Sequence, residues 1–449
     1  MNDSRRTSTP GRRAPASFSP ARRHIADLRL LPVLVVSIVL VLAGCNSPSA
    51  NSRPSAQPDI ATATITTVAG TGSVCTRALL PCGDGGPARN APLGTPDAAT
   101  ALPNGGYLIA ERDIQKIRMV SPQGIISTVV GNGLACPEPT APCGDGGPAT
   151  SAQINHPHFV VATPDGGYLI ADRLDNRIRK VSADGVITTV AGNGLPCRPQ
   201  PDTCGDGGTA TEARISYPQV ISLMPGGGVL LAGLENRVRE VSPDGVINTV
   251  AGTGIPCPAP TDPCGDGGKA SAGRFNDAHG VVALPDGGFL VADRLDNRIR
   301  KVSTTGVIET VAGRGAACDA TASTCGSGGQ ARAAQLNSPI GMTLTSGGGY
   351  LVLDGGANLV RYVSDTGVIS TVAGSGAFCE PSGRAPTTQE KAASKAPDKA
   401  TGSCGDNGPA REAALSSPHS GSFVPAGVII DDRDDDRVRL LTGTGLHAP

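Results

Sequence analysis

Residues 157 to 192 break into four short stretches in which apolar and polar positions alternate or the apolar ones run together. They are Pro157 to Ala162 (PHFVVA), Tyr168 to Asp172 (YLIAD), Arg177 to Ser182 (RIRKVS) and Val186 to Gly192 (VITTVAG). Turn-forming residues separate them: Pro164-Asp165-Gly166-Gly167, Leu174-Asp175-Asn176 and Ala183-Asp184-Gly185. Stretches of this length with period-two alternation between tight turns predict four antiparallel strands. About 25 residues of loop, carrying two cysteines, then lead to the next such unit.

The pattern recurs. The first cysteine of each pair stands at 75, 136, 197, 257, 318 and 379, a spacing of 60 or 61 residues, so there are six units. Six four-stranded units around an axis predict an all-β fold, a six-bladed β-propeller of antiparallel blades, each sheet covered by its neighbours. The sixth unit, Pro418 to Thr442, has three strands and lacks the fourth, while Ile65 to Gly70 (ITTVAG) supplies that piece at the other end of the chain. The N-terminal strand is therefore expected to complete the last blade and close the ring, which an open solenoid would not need.

Composition supports many turns and excludes several partners. Gly 61 and Pro 38 make up 22% of 449 residues, rich in turn formers but below the level of low-complexity disorder. Aromatic residues are 2% with no Trp, so base stacking on aromatic platforms has little support. Net charge is -1, but seven Arg and two Asp fall in the first 44 residues, leaving -6 for the rest. A mildly acidic domain has no general electrostatic reason to bind nucleic acid.

The arginines from Arg5 to Arg29 precede the apolar run Leu30 to Gly44 and then Cys45, the order of a secretory signal. Fifteen apolar residues are short of the roughly 20 that span a bilayer. Leu42-Ala43-Gly44-Cys45 resembles a bacterial lipobox, which implies lipid attachment at Cys45 and an exported, membrane-anchored lipoprotein of the cell envelope. The expected organisation is a signal at 1–44, a flexible Ser/Pro/Ala-rich tether at 45–63, the propeller at 64–442 and a tail at 443–449. The other twelve cysteines form neighbouring pairs: Cys75 with Cys82, Cys136 with Cys143, Cys197 with Cys204, Cys257 with Cys264, Cys318 with Cys325 and Cys379 with Cys404. Even pairing behind an export signal predicts six local disulfides, and no pair has the CxxC spacing of a thiolate metal site.

The units resemble NHL repeats: TVAG, then Gly-Asp-Gly-Gly-Pro-Ala (Gly83 to Ala88, Gly144 to Ala149), a Pro opening a strand, and a turn of the form Asp172, Asn176, Arg177, Arg179. The likeness covers residues 64 to 442, and unit five departs from it with Ser327 in place of the Asp. It implies a propeller of a kind that includes ligand-binding modules, teneurin-type cell-surface domains and lyases. The Gly-Asp-Gly-Gly segments precede no Lys-Ser/Thr and no βαβ pattern, so they read as turns beside the cystines, or calcium sites, and not as phosphate loops.

In a propeller the first strand of each blade lines the central channel, so the residue after its opening position should form a ring at the channel mouth. That register reads Asp97, His158, Gln219, His279, Ile340 and His419. Three histidines on alternate blades are about 120 degrees apart and can converge, and three His with an open position is a catalytic zinc arrangement. Propeller lyases that release glyoxylate from peptidyl hydroxyglycines hold zinc in a similar way; the likeness implies zinc or another divalent metal on His158, His279 and His419, with His156, Asp97 or a bound water as acid or base. Duplication of a two-blade unit is the alternative origin of the alternation, since Ala171 to Ser182 and Ala292 to Ser303 are identical.

Arg118, Arg179, Arg239, Arg300, Arg361 and Arg439 share one register and are expected to brace the blades against acidic neighbours. Arg173, Arg294 and Arg433, beside the turn between the second and third strands, read as exposed turn charges or as selectors of an acidic ligand. The long sixth cystine loop, Glu380 to Ser403, is polar and reads as a mobile surface loop. Two functions follow as expectations: a ligand- or protein-binding scaffold on the cystine-rimmed face, or a metal-dependent lyase or hydrolase at the three-His site.

Overall fold

The computed structural model describes residues 60–77, 80–197, 203–318, 325–380, 400–401 and 404–449. The expected signal, Cys45, most of the tether and most of the long sixth loop lie outside the described residues.

Blades 1 to 5 are four-stranded antiparallel sheets in which each strand pairs with the next in sequence. Blade 2 shows the rule with Pro157–Ala162, Tyr168–Asp172, Arg177–Val181 and Ile187–Ala191. Its alternating pattern serves two interfaces at once, because successive side chains of a strand leave opposite faces. Ile170 and Val181 pack with Leu108 and Ile117 of blade 1, whereas Leu169, Ala171 and Ile178 pack with Ile221 and Leu231 of blade 3. Each such Leu, Ile or Val side chain, fully buried, stabilises by roughly 1.5 to 3 kcal/mol.

Blade 6 consists of Pro418–Val424, Gly427–Asp432 and Arg437–Thr442, and its outer strand is Thr64–Ala69 from the N-terminus. That strand pairs antiparallel with Arg437–Thr442, Ile65 lying opposite Leu441, so the ring is closed as its complementary truncation predicts. The tail packs as well: Leu446 is buried in the same cluster as Ile65 and Leu415.

All six cysteine pairs are disulfides. Cys75 is bonded to Cys82, Cys136 to Cys143, Cys197 to Cys204, Cys257 to Cys264, Cys318 to Cys325 and Cys379 to Cys404, with Cα separations from 5.3 to 5.9 Å. One feature of them is absent from the sequence pattern. The second cysteine of each pair (Cys82, Cys143, Cys204, Cys264, Cys325 and Cys404) is left-handed, with φ between 43 and 58°, and a positive-φ glycine follows it each time. The chain reverses there out of the cystine loop.

After each cystine the Gly-Asp-Gly-Gly segment runs along the outer strand of the blade that follows; Gly146 N–H donates to Ile187 O at 2.8 Å and Ala149 N–H to Gly185 O at 2.8 Å. The repeated turn has a further job. Asn176, Asn236, Asn297 and Asn358 have φ between 50 and 55°, and their Oδ1 atoms accept the backbone N–H of Tyr217, Asp277, Ser338 and Ser417 at the opening of the next blade. Asp436 does the same for Thr95 across the closure. Asn tolerates the left-handed region, and each short side chain fastens one blade to the next.

The six register arginines are at most 1% exposed and lie against carboxylates, as their recurrence implies. Arg118 meets Asp84 and Glu111, Arg179 meets Asp145 and Asp172, Arg300 meets Asp266 and Asp293, and Arg439 meets Asp406 and Asp432. The Asp of each Gly-Asp-Gly-Gly segment is thus the arginine's partner some 34 residues upstream. In blade 3 Arg239 meets Asp206, and Gly233 stands where the second carboxylate would be. In blade 5 Ser327 replaces the upstream Asp and Leu359 stands where blades 2 and 4 have Arg177 and Arg298, leaving Arg361 with Asp354 at 3.6 Å. The two losses cancel, which keeps the buried charges of that blade balanced.

Candidate functional site

The inner strands bring the six ring residues together inside the channel. Asp97, His158, Gln219, His279, Ile340 and His419 are between 0 and 5% exposed, so they lie below the rim and not on it. Two positions earlier, toward the mouth, stand Thr95, His156, Tyr217, Asp277, Ser338 and Ser417, every one of them at a φ between 47 and 66°; Tyr217 is exposed, His156, Ser338 and Ser417 are half-buried, and Thr95 and Asp277 are buried.

The three imidazoles meet at the axis. Ring centroids are 5.3 Å apart for His158 and His279 and 5.0 Å for each of the other two pairs. One nitrogen from each ring lies within 4.8 Å of the others, a spacing that modest ring rotation could bring to metal–nitrogen bonds of about 2.0 to 2.1 Å. His158 Nδ1 is 2.8 Å from Gln219 O and His419 Nδ1 is 2.7 Å from Asp97 O. A carbonyl can only accept, so both Nδ1 atoms carry the proton and both Nε2 atoms keep a free lone pair. His419 Nε2 is buried with no hydrogen-bond partner. Burial pulls His158 down to about 4 against the attraction of Asp97, and burial with the neighbouring cations holds His279 and His419 well below the usual imidazole value. The triad is neutral at physiological pH, the state in which imidazole ligates a metal.

Close inner strands make this convergence possible. Gly280, next to His279, stands where a Cβ would come within 2.4 Å of Ile340 O. A cavity of about 40 Å³ lies against the triad, lined by His279, His419, Gln219 and Ser420 together with Phe159, Val220, Val281 and Met342.

Above the triad lies a charged collar. Asp97 accepts an ion pair from Arg433 Nε at 2.8 Å and a longer one from Arg112 Nη1 at 3.6 Å, and its Oδ2 is 3.9 Å from His158 Nε2. Burial alone would raise its pKa, but Arg433, His158 and Arg112 together hold it below the ordinary carboxylate value. Arg294 pairs with Asp277 at 2.6 Å. Arg294 and Arg433 thus turn inward to acids, which corrects the expectation of exposed turn charges. Arg173 differs: its Nη1 is 3.4 Å from His156 Nδ1, its guanidinium stands over the Tyr217 ring at 5.7 Å, and its Nε is buried without a partner. Burial, then Arg112, lowers His156 to about 3, so it is neutral.

The cystines are not rival metal centres. Four of them have a carboxylate beside the sulfurs: Asp175 at Cys136 and Cys143, Glu235 at Cys197 and Cys204, Asp296 at Cys257 and Cys264, and Asp435 at Cys379 and Cys404. Cys75 and Cys82 pack on Ile114 instead, and the same register position beside Cys318 and Cys325 is Ala357. Sulfurs already bonded to each other are not thiolates, so all six serve as staples.

Sequence reasoning missed Arg112 and Tyr217. Tyr217 occupies the same position before the opening Pro as His156, and Arg112 the same position after the second strand as Arg173; aligning those two registers would have found both.

Comparison with known proteins agrees with the architecture. The sequence model of the Teneurin NHL domain matches residues 188–254 and 308–395. Teneurin-1 of Homo sapiens is 28% identical over 246 residues, 53% of this chain but 9% of that protein, so the chain spans about a tenth of the length of the curated relatives it matches. A Bacteroides thetaiotaomicron protein of unknown function superposes with a TM-score of 0.53 at 14% identity, covering 85% of this chain and 76% of the other. An auxiliary nutrient binding protein from the same organism gives 0.51 at 13% identity, covering 84% and 76%. The chain is thus a disulfide-bonded β-propeller whose repeats are similar to the Teneurin NHL domain, a fold consistent with a protein-binding scaffold. Six disulfides are those of an extracellular or exported protein. Among the described residues no helix is long and apolar enough to cross a membrane.

Proposed function

We propose that this protein is a lipid-anchored, exported NHL propeller that binds a divalent transition metal on His158, His279 and His419 and recognises a ligand above it at the cystine-rimmed mouth. The observation that carries this reading is the convergence of three neutral imidazoles, two with their lone pairs fixed by Nδ1–H donation to backbone carbonyls. Such carbonyls orient metal-ligating histidines and fix their tautomer. The lipid at Cys45 would hold the propeller at the envelope, where a partner protein or a small ligand meets the open face; nucleic acid has no place in this reading. Zinc suits an all-imidazole set with room for another donor.

A second reading is a metal-dependent lyase or hydrolase, favoured by the ionised Asp97 carboxylate 3.9 Å from His158 Nε2. A bound zinc would supply Lewis acidity and an acidified water. Asp97, fixed by Arg433 and Arg112, would accept a proton at Oδ2.

Metal content by mass spectrometry tests the reading. The mature chain from Cys45, exported to an oxidising compartment, should carry about one zinc or similar ion per chain, lost in the variant combining His158→Ala, His279→Ala and His419→Ala. Equal metal in both, or none in either after incubation with zinc, would end it.

A further inference from the structure

The collar contains four arginines, Arg112, Arg173, Arg294 and Arg433, and two inward carboxylates, Asp97 and Asp277. Three of the arginines are ion-paired: Arg112 and Arg433 share Asp97, and Arg294 holds Asp277. Arg173 has no carboxylate within 4.0 Å among the described residues; its Nη1 donates to His156 Nδ1 at 3.4 Å and its guanidinium stands over the Tyr217 ring at 5.7 Å, while Asp97 and Asp277 attract it only from farther off. A guanidinium stays charged in a protein, and a half-buried one without an anion is unfavourable unless something pairs with it.

We propose that Arg173 is the anchor for a carboxylate on the ligand of this mouth, its planar fork giving two parallel N–H···O bonds while Tyr217 backs the guanidinium and His156 borders it. With Nε buried and one Nη1 hydrogen directed at His156, the remaining Nη1 and Nη2 hydrogens fit a single carboxylate better than a phosphate, whose three oxygens call for several donors at once. The backing by Tyr217 keeps the guanidinium plane fixed, and a pre-set plane favours planar, bidentate recognition. Asp97 and Asp277 are occupied by the other three arginines, so Arg173 is the collar cation left for a carboxylate of the ligand. The inference rests on the metal reading only for where the ligand's other end goes, over the three histidines.

The test is binding of small probes to the mature chain in detergent, measured by calorimetry with zinc and again after chelation. Glycolate and acetate should bind saturably, and the uncharged amides glycolamide and acetamide should not. Arg173→Gln should weaken the carboxylates at least tenfold, with Arg173→Lys between the two. Because Arg173 holds no structural carboxylate, Arg173→Gln should leave the unfolding temperature unchanged or raise it, which separates loss of a ligand from loss of the fold. Carboxylate binding equal in Arg173→Gln, amides binding as well as acids, inorganic phosphate preferred over every carboxylate, or no binding with or without zinc would each overturn the proposal. Failure of the metal reading is seen separately, as absent zinc uptake with carboxylate binding retained in the chelated protein.

Discussion

Arg433 Nε of blade 6 lies 2.8 Å from Asp97 Oδ1 of blade 1, so the ring is fastened across its closure by a buried ion pair at the channel as well as by strand pairing at the rim of the blade. Asp97 is wholly buried and also takes Arg112. Arg433 and Arg112 keep some solvent access and lie beside Asp434 and Asp113, so losing Asp97 strands neither charge completely. Asp97→Ala is expected to lower stability by about 1.5 to 3 kcal/mol in denaturant unfolding, and combining it with Arg433→Gln should cost clearly less than the sum of the single changes.

Acidic residues outnumber cations in the buried clusters of the alternate blades. In blade 4, Asp266, Asp293 and Asp296 face Arg298 and Arg300. Burial and then Asp296 push Asp293 up to about 7, and burial pushes Asp296 up to about 6. In blade 2, burial raises Asp172 and Asp175, which lie close enough to share a proton. A carboxyl with a raised folded pKa contributes stability that is complete below its unfolded value near 3.9 and is lost as pH rises through the folded value. Up to about pH 6.5 the buried neutral histidines, His156, His158, His279 and His419, contribute the opposite trend, because they must charge on unfolding. The unfolding midpoint should therefore fall from about pH 6.5 to pH 8, and Asp296→Asn, which removes a cause of the raised Asp293, should flatten that slope; a midpoint rising over this range would contradict the assignment.

The N-terminal strand should be indispensable. Thr67 Oγ1 donates to Asp406 at 2.6 Å, just as Thr128 does to Asp84 in blade 1, so the strand completes the buried cluster of blade 6 in addition to its sheet. Deleting residues up to Gly70 should abolish cooperative unfolding followed by circular dichroism, whereas Thr67→Ala should cost about 1 kcal/mol.

A thiol count checks the cystines. Denatured, unreduced protein should show no free thiol from the twelve propeller cysteines, and reduction should lower the unfolding temperature, since each short disulfide loop stabilises by roughly 2 to 3 kcal/mol. Several titratable thiols would contradict the pairing.

Most of the architecture was readable because its signals are local or periodic. The cystines mark each unit, and the missing strand of the sixth unit reappears at Ile65 to Gly70. The three histidines were readable because inner-strand register converts directly into position around the axis. Other features depend on contacts that spacing does not encode. Asp84 reaches Arg118 only because the Gly-Asp-Gly-Gly segment folds back along its blade, a reversal that begins at the left-handed Cys82. Arg173 differs from Arg294 through its rim neighbour: Asp277 pairs with Arg294, while the same position in blade 2 is His156. The aligned register shows His156 where blade 4 has Asp277, but that the two positions face their arginines is a contact only the fold supplies.

Anomalous diffraction at the zinc edge, from a crystal of the mature chain grown with zinc, tests the central claim most directly. The expected result is a single strong peak on the propeller axis within bonding distance of His158, His279 and His419. A map with no peak there, or with zinc bound only elsewhere, would leave the three histidines as products of repeat duplication and contradict the metal reading.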